Sequence, residues 1–153
     1  MDKSTLISIM SLAVALAALF LAPYFAHQKT IAEMRQAWIN TLRDCVADLL
    51  SLVARSEVAW AYREPDAVDD FLEPQAKLMF LENKIELLLN PQREQHRELV
   101  ALTHQIIDLI FKSKKDLSED EFIDRNAGLE LAITAVTQHI IRREWSRTTR
   151  FWP

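Results

Sequence analysis

Hydrophobic positions along the chain follow two regimes. From Thr5 to Ala26 the stretch TLISIMSLAVALAALFLAPYFA carries no charge for about 22 residues, enough for an α-helix to cross a bilayer core, which needs roughly 20. Beyond His27 the apolar residues become periodic. Ile31, Met34, Trp38, Leu42, Cys45, Leu49, Leu52, Ser56 and Ala59 keep a near-heptad spacing, which predicts a long amphipathic helix running straight out of the uncharged stretch to about Arg63. The segment EPDAVDDFLEP, Glu64 to Pro74, has two prolines and five acids; it ends that helix and predicts an acidic connection.

A second helix is predicted from Gln75 to Leu89, burying Leu78, Leu81, Ile85 and Leu88. Asn90-Pro91 stops it and starts a third, with Asn90 as cap and Pro91 at the first helical position, where its missing N–H costs nothing. That helix runs to Lys112 and buries Leu99, Val100, Thr103, Ile106, Ile107, Ile110 and Phe111, with Lys112, Lys114 and Lys115 opposing the negative end of its dipole. Ser118 and Glu121 form a capping box before a last helix whose core positions are Phe122, Asn126, Leu129, Ile133, Val136 and Ile140. The expected fold class is all-α: a single N-terminal transmembrane helix (1–27), then a long stalk helix leading into a small up-and-down bundle (28–153).

Composition supports this and adds little chemistry. Glycine occurs once and aromatics make up 8%, so turn-rich β architecture lacks its usual residues. A formal charge of -4 gives no global field that draws in nucleic acid. Cys45, alone, closes no intrachain disulfide. His27, His96, His104 and His139 show no H-E-x-x-H spacing and have no second cysteine beside them, so neither metal nor cofactor is expected.

The uncharged stretch reads as a retained anchor rather than a cleaved signal. Its n-region balances Asp2 against Lys3, it exceeds the usual h-region length, and no small-x-small cleavage site follows it. Tyr24 and Phe25 sit where an interfacial aromatic belt lies. Lys29 and Arg35, with Glu33, follow the span while Lys3 alone precedes it, which places the C-terminal domain in the cytoplasm. Within the stretch, Ser4, Ser8, Ser11, Ala15, Ala18 and Ala22 recur at steps of 4, 3, 4, 3 and 4, a seam of small residues along one face. Such a seam lets helices approach closely and predicts a homo-oligomer; in an assembly the hydroxyls could equally face a water-filled lumen.

Arg97 and His104 form R-x6-H on one face of the third helix. Here the chain resembles the HEPN class of helical nuclease domains, whose arginine holds a phosphate and whose histidine is general acid or base. Glu98 departs from the pattern, since the class places a polar Asn, Asp or His after the arginine. A solvated helix face explains the pair more simply, because helices rich in Arg, His, Gln and Glu present such pairs by chance. The wider layout, an N-terminal span leading into W-I-N-T-L-R (Trp38 to Arg43) and K-I-E-L-L-L-N-P (Lys84 to Pro91), is similar to the membrane accessory proteins of type VI-B CRISPR loci, which pair a span with a divergent HEPN-like bundle. That resemblance implies a single-pass protein of the bacterial inner membrane that forms an oligomeric pore in phage defence, its HEPN site not necessarily catalytic.

The tail RREWSRTTRFWP concentrates Arg142, Arg143, Trp145, Arg147, Arg150 and Trp152. Arginine beside aromatics suits a membrane interface, a nucleic-acid strand or an acidic protein surface; the acidic connection at Glu64 to Glu73, within one subunit or between neighbours, is the favoured partner, and RNA or a merely capped helix end are the alternatives. Trp38 and Trp60 read as core anchors, Gly128 as a point of close helix approach, and Asp44, Asp48, Glu82 and Glu86 as solvated acid pairs. The leading expectation is a non-enzymatic homo-oligomeric membrane pore; the alternatives are a membrane-tethered RNase and a scaffold that recruits a cytoplasmic effector protein.

Overall fold

A computed structural model of the chain describes residues 3–61, 72–112 and 117–149. Four helices and no strand are present among the described residues: α1 (Lys3–Ala61), α2 (Leu72–Leu88), α3 (Glu94–Lys112) and α4 (Glu119–Thr149). The acidic connection up to Phe71, Lys114, Lys115, Arg150 and Trp152 lie outside the described residues, as does the side chain of Trp60.

α1 is a single helix of 59 residues, about 88 Å long. Its uncharged stretch is covered by nothing among the described residues: the most apolar window has a mean hydropathy of 2.4 with none of it buried, and Val14, Leu19 and Phe20 stand two-thirds or more exposed. By length and composition this helix is able to cross a membrane. Pro23 lies within it without ending it. The second half enters a bundle with the other three helices, packing against α2 on one side and α4 on the other, while α3 closes the far side between them.

The core is aliphatic. Ile39, Leu42, Cys45, Val46, Leu49, Leu52 and Val53 of α1 meet Leu78, Leu81 and Ile85 of α2, Leu99, Ile106 and Ile107 of α3, and Ile133 and Ile140 of α4. The expected heptad on α1 holds from Leu42 to Ser56, with Ile39, Val46 and Val53 widening the stripe. Met34 departs from it at 69% exposed. α2 ends at Leu88, whose carbonyl faces Trp38, so one turn earlier α1 has left the apolar part of the bundle.

Three boundaries differ from expectation. α2 begins at Leu72 and takes Pro74 into its first turn, where a proline breaks no intrahelical bond. α3 begins at Glu94 rather than Pro91, because Asn90 caps a turn instead of a helix. Its Oδ1 accepts from the Gln92 N–H at 2.9 Å and its carbonyl from the Arg93 N–H at 3.1 Å, and the helical ladder starts only with the Arg97 N–H bonded to the Arg93 carbonyl. α4 continues through Thr149, so the arginine-rich segment is largely helix. Its start keeps the serine half of the expected capping box: the Glu121 N–H lies 3.4 Å from Ser118 Oγ and the Phe122 N–H donates to the Ser118 carbonyl, while the Glu121 carboxylate accepts from Arg125 at 2.7 Å.

Gly128 is not a point of close approach. A Cβ built there meets nothing within 4 Å, and its φ is negative. Replacing it by alanine in mid-helix is expected to stabilise the protein by about 1 kcal/mol, read from thermal or denaturant unfolding of Gly128→Ala in detergent micelles. An unchanged or lowered midpoint would contradict the open surroundings.

Candidate functional site

The densest polar cluster lies at the end of the bundle nearest the uncharged half of α1. It is built from one buried acid. Glu144 on α4 is 7% exposed, four residues beyond the buried Ile140 on the same helical stripe. Three arginines from three elements converge on its carboxylate: Arg93 of the α2–α3 turn hydrogen-bonds Oε1, Arg147 of the next α4 turn does so at 3.0 Å, and Arg35 of α1 lies 3.7 Å from Oε2. Beside them, Arg143 reaches Gln95 of α3 at 3.3 Å.

The turn that delivers Arg93 is held on its other side. Trp38 of α1 donates its indole N–H to the Leu88 carbonyl at 2.8 Å, satisfying one of the orphan acceptors at the end of α2. The Trp38 ring stacks on His96 at 6.1 Å between centroids, and His96 Nδ1 accepts the Asn90 N–H at 2.9 Å. An accepting Nδ1 requires a neutral imidazole protonated at Nε2. The surroundings agree: burial, with the Arg93 and Arg143 charges in support and Glu144 opposing, lowers the His96 pKa from its ordinary 6.5.

Arg97 and His104, two turns apart on α3, are turned to different partners. Arg97 is exposed and donates to the Pro91 carbonyl at 3.2 Å. His104, half exposed, sits with Nε2 3.4 Å from Oε1 of Glu82 on α2. Glu82 is therefore not one of a solvated acid pair: burial between helices raises its pKa above 4.5, against the pull of His104 and with Glu86 and Asp108 pushing the same way. Among the described residues no group of His, Cys, Asp and Glu is placed to hold a metal ion.

Of the tail, the residues up to Thr149 are described. Arg142 and Arg143 are exposed, Trp145 is half exposed, and Arg147 serves Glu144. The described residues that flank the acidic connection, Ala61 and Leu72, stand at the opposite end of the bundle, since Arg35 and Ala61 are separated by about 39 Å along α1. Charge is thus partly segregated by the topology. Lys29, Arg35, Arg93, Arg97, Arg142, Arg143 and Arg147 gather at the end nearest the uncharged stretch, against Glu33, Glu86, Glu94, Glu98 and Glu144, while Glu119, Asp120, Glu121 and Asp124 open α4 at the far end with Arg125 beside them.

Neither Glu144 nor His96 stood out in the sequence, yet both had a signal. Glu144 continues the Ile133, Ile140 stripe, and His96 precedes Leu99 and Thr103 on the buried face of α3. Reading the arginines as a tail hid the first, and reading histidine only as a ligand or catalyst hid the second.

Glu144→Gln leaves three arginines facing one another and is expected to cost about 2 kcal/mol, discounted because the arginines keep contact with water; thermal unfolding in micelles measures it. For His96 the sign follows from its lowered pKa: below about pH 6.5 the unfolded chain takes up a proton that the fold resists, so the stability it contributes is complete above 6.5 and is lost as pH falls. Glu82, with its raised pKa, has the opposite sign and is common to both proteins when wild type and His96→Gln are compared. The unfolding midpoint of wild type should drop further than that of His96→Gln between pH 7.5 and 5.5. No family model, no curated protein and no solved structure matches this chain.

Proposed function

We propose that this chain is a non-enzymatic, single-span membrane protein that self-associates through the first half of α1 and carries its bundle on the cytoplasmic face of a bacterial inner membrane. The observation that carries the reading is the exposed, uncharged stretch of α1, which none of the described residues covers although most of its side chains are apolar. Water is a poor solvent for such a surface and lipid a good one. Ser4, Ser8, Ser11, Ala15, Ala18 and Ala22 are all exposed along it, available to a second copy. Ser8 Oγ donates to the Ser4 carbonyl at 3.0 Å, so its hydroxyl is satisfied within the helix and does not hinder close packing. α2 adds Met79, Phe80 and Leu87, 53%, 61% and 87% exposed, an apolar surface that neighbouring copies would cover. The basic end of the bundle beside the span favours the cytoplasmic leaflet, whose lipids are anionic.

A conducting assembly is the extension of this reading: a ring of spans lined by Ser4, Ser8 and Ser11 is a pore of the kind that the type VI-B resemblance implies for phage defence, with the bundles receiving the signal, including from a cytoplasmic effector protein. The RNase alternative is not favoured, because Arg97 and His104 engage the Pro91 carbonyl and Glu82 rather than opening toward a common substrate.

Size measurement in detergent and dye release from proteoliposomes test the proposal together. Wild type should be a defined oligomer, and Ser11→Leu with Ala15→Leu should dissociate it toward monomer and abolish release. A monodisperse wild-type monomer defeats the oligomer. Oligomers without release leave the scaffold reading and remove the pore. Cleavage of RNA that is lost in His104→Ala would reinstate the nuclease.

A further inference from the structure

We propose that copies of this chain join head to tail outside the bilayer, the outer face of α2 on one copy seating on the outer face of α4 on the next; this rests on the self-associating membrane reading above. Both faces are apolar where a solvated helix is polar. On α2, Phe80 and Leu87 are 61% and 87% exposed, on the side away from the buried Leu78, Leu81 and Ile85, with Met79 beside them at 53%. On α4, Leu131 is 73% exposed, and Ala127, Gly128 and Ala135 around it are exposed and small. A Cβ built at Gly128 meets nothing within 4 Å, so nothing described in the same copy leans on this surface. One face is a ridge of large side chains and the other a shallow bed around a single leucine.

Topology and height decide which surface covers which. α2 and α4 each pack on α1 and α3 but not on each other, so they stand at diagonal corners of the bundle with outer faces pointing in opposite directions. Two different faces on opposite sides of one chain meet head to tail, a contact that repeats from copy to copy until a ring closes. Spans that share one membrane and one orientation hold every copy at the same level, so a residue meets what stands at its own height. The Trp38 bond to the Leu88 carbonyl sets α2 against α1, and counting from the level of Arg35 puts Phe80 and Met79 at about 17 and 18 Å. The contact of Arg35 with Glu144 sets α4, and puts Ala135 and Leu131 at about 14 and 20 Å. The ridge thus falls between them. Lys77 and Glu130 both come at about 21 Å, and Glu86 comes within about 5 Å of the level of Arg142, opposite charges in each case. A second α2 is the poorer partner, because equal heights would set Lys77, Lys84 and Glu86 each against its own copy.

The test is oxidative cross-linking of the full-length protein in lipid vesicles. Phe80→Cys and Ala135→Cys in one chain, oxidised with copper phenanthroline, should give a ladder of disulfide-linked dimers and larger species. Chains carrying one of these cysteines each should link when the two kinds are mixed and stay single when they are not. Cys45 is 2% exposed, so oxidised wild type should remain at monomer size on a denaturing gel. Asp124→Cys, on the same face of α4 but eleven residues and about 16 Å farther along, should link to Phe80→Cys on the order of tenfold more slowly. Equal rates for Asp124→Cys and Ala135→Cys overturn the proposal, and so does linking of Phe80→Cys chains to one another, which would mean paired α2 faces. Size measurement in detergent reports self-association separately: a wild-type monomer overturns that reading and this proposal together. A wild-type oligomer whose Phe80→Cys and Ala135→Cys chains do not link overturns this proposal alone.

Discussion

The bundle turns on a buried carboxylate that cannot be left alone. An ionised glutamate at 7% exposure is tolerated only if charge is brought to it, and Glu144 draws one arginine from α1, one from the α2–α3 turn and one from its own helix. Meeting that demand ties the three segments at one end. The turn that carries Arg93 must then keep a fixed shape, and it does so because Asn90 closes it from within while His96 and Trp38 hold it from outside. Buried ion clusters add little net stability against an apolar core, but removing one partner leaves a buried charge uncompensated. Here the cluster joins α4 to α1 at one register, with Glu144 beside Arg35.

That register has a consequence for the whole molecule. α1 serves two environments, an apolar stretch that none of the described residues covers and a half whose stripe is sealed by three helices. Because one helix is continuous through both, anything attached to the second half acquires a defined height above the first. The α2–α3 turn and the end of α4 are brought down to the near end with their arginines, and the acids opening α4 are carried to the far end. In a chain with a net charge of -4 the described arginines are thus in modest excess at the end beside the uncharged stretch.

The residues that invited a catalytic reading lie elsewhere on α3. Arg97 and His104 were legible as a spaced pair, but spacing on a helix fixes only which side chains share a face and not what stands opposite. Pro91 and Glu82 stand opposite, and each takes one member of the pair. His96, one residue from Arg97, went unread because a histidine among leucines and isoleucines has no motif; its role comes from the Asn90 amide and the Trp38 ring, which come from other parts of the chain.

The sequence alone determined what periodicity and composition can carry: an all-α chain, four helices, a long first helix with an uncharged front half, the aliphatic core stripes and the Ser118 cap. These are local, set by side-chain spacing of 3.6 residues per turn and by capping chemistry within a few residues. Only the tertiary structure decided that Asn90 closes a turn, that Gly128 faces open space, that Glu82 is drawn between helices, and that an apparent tail is a helix anchored by Glu144. The Asn90 turn closes within three residues, but Glu82 and Glu144 depend on partners 22 to 109 positions away, as with His104 and Arg35. Charge and hydrogen bonding across such separations leave no period in the sequence, because the partner is chosen by the packing of whole helices rather than by the neighbours of either residue.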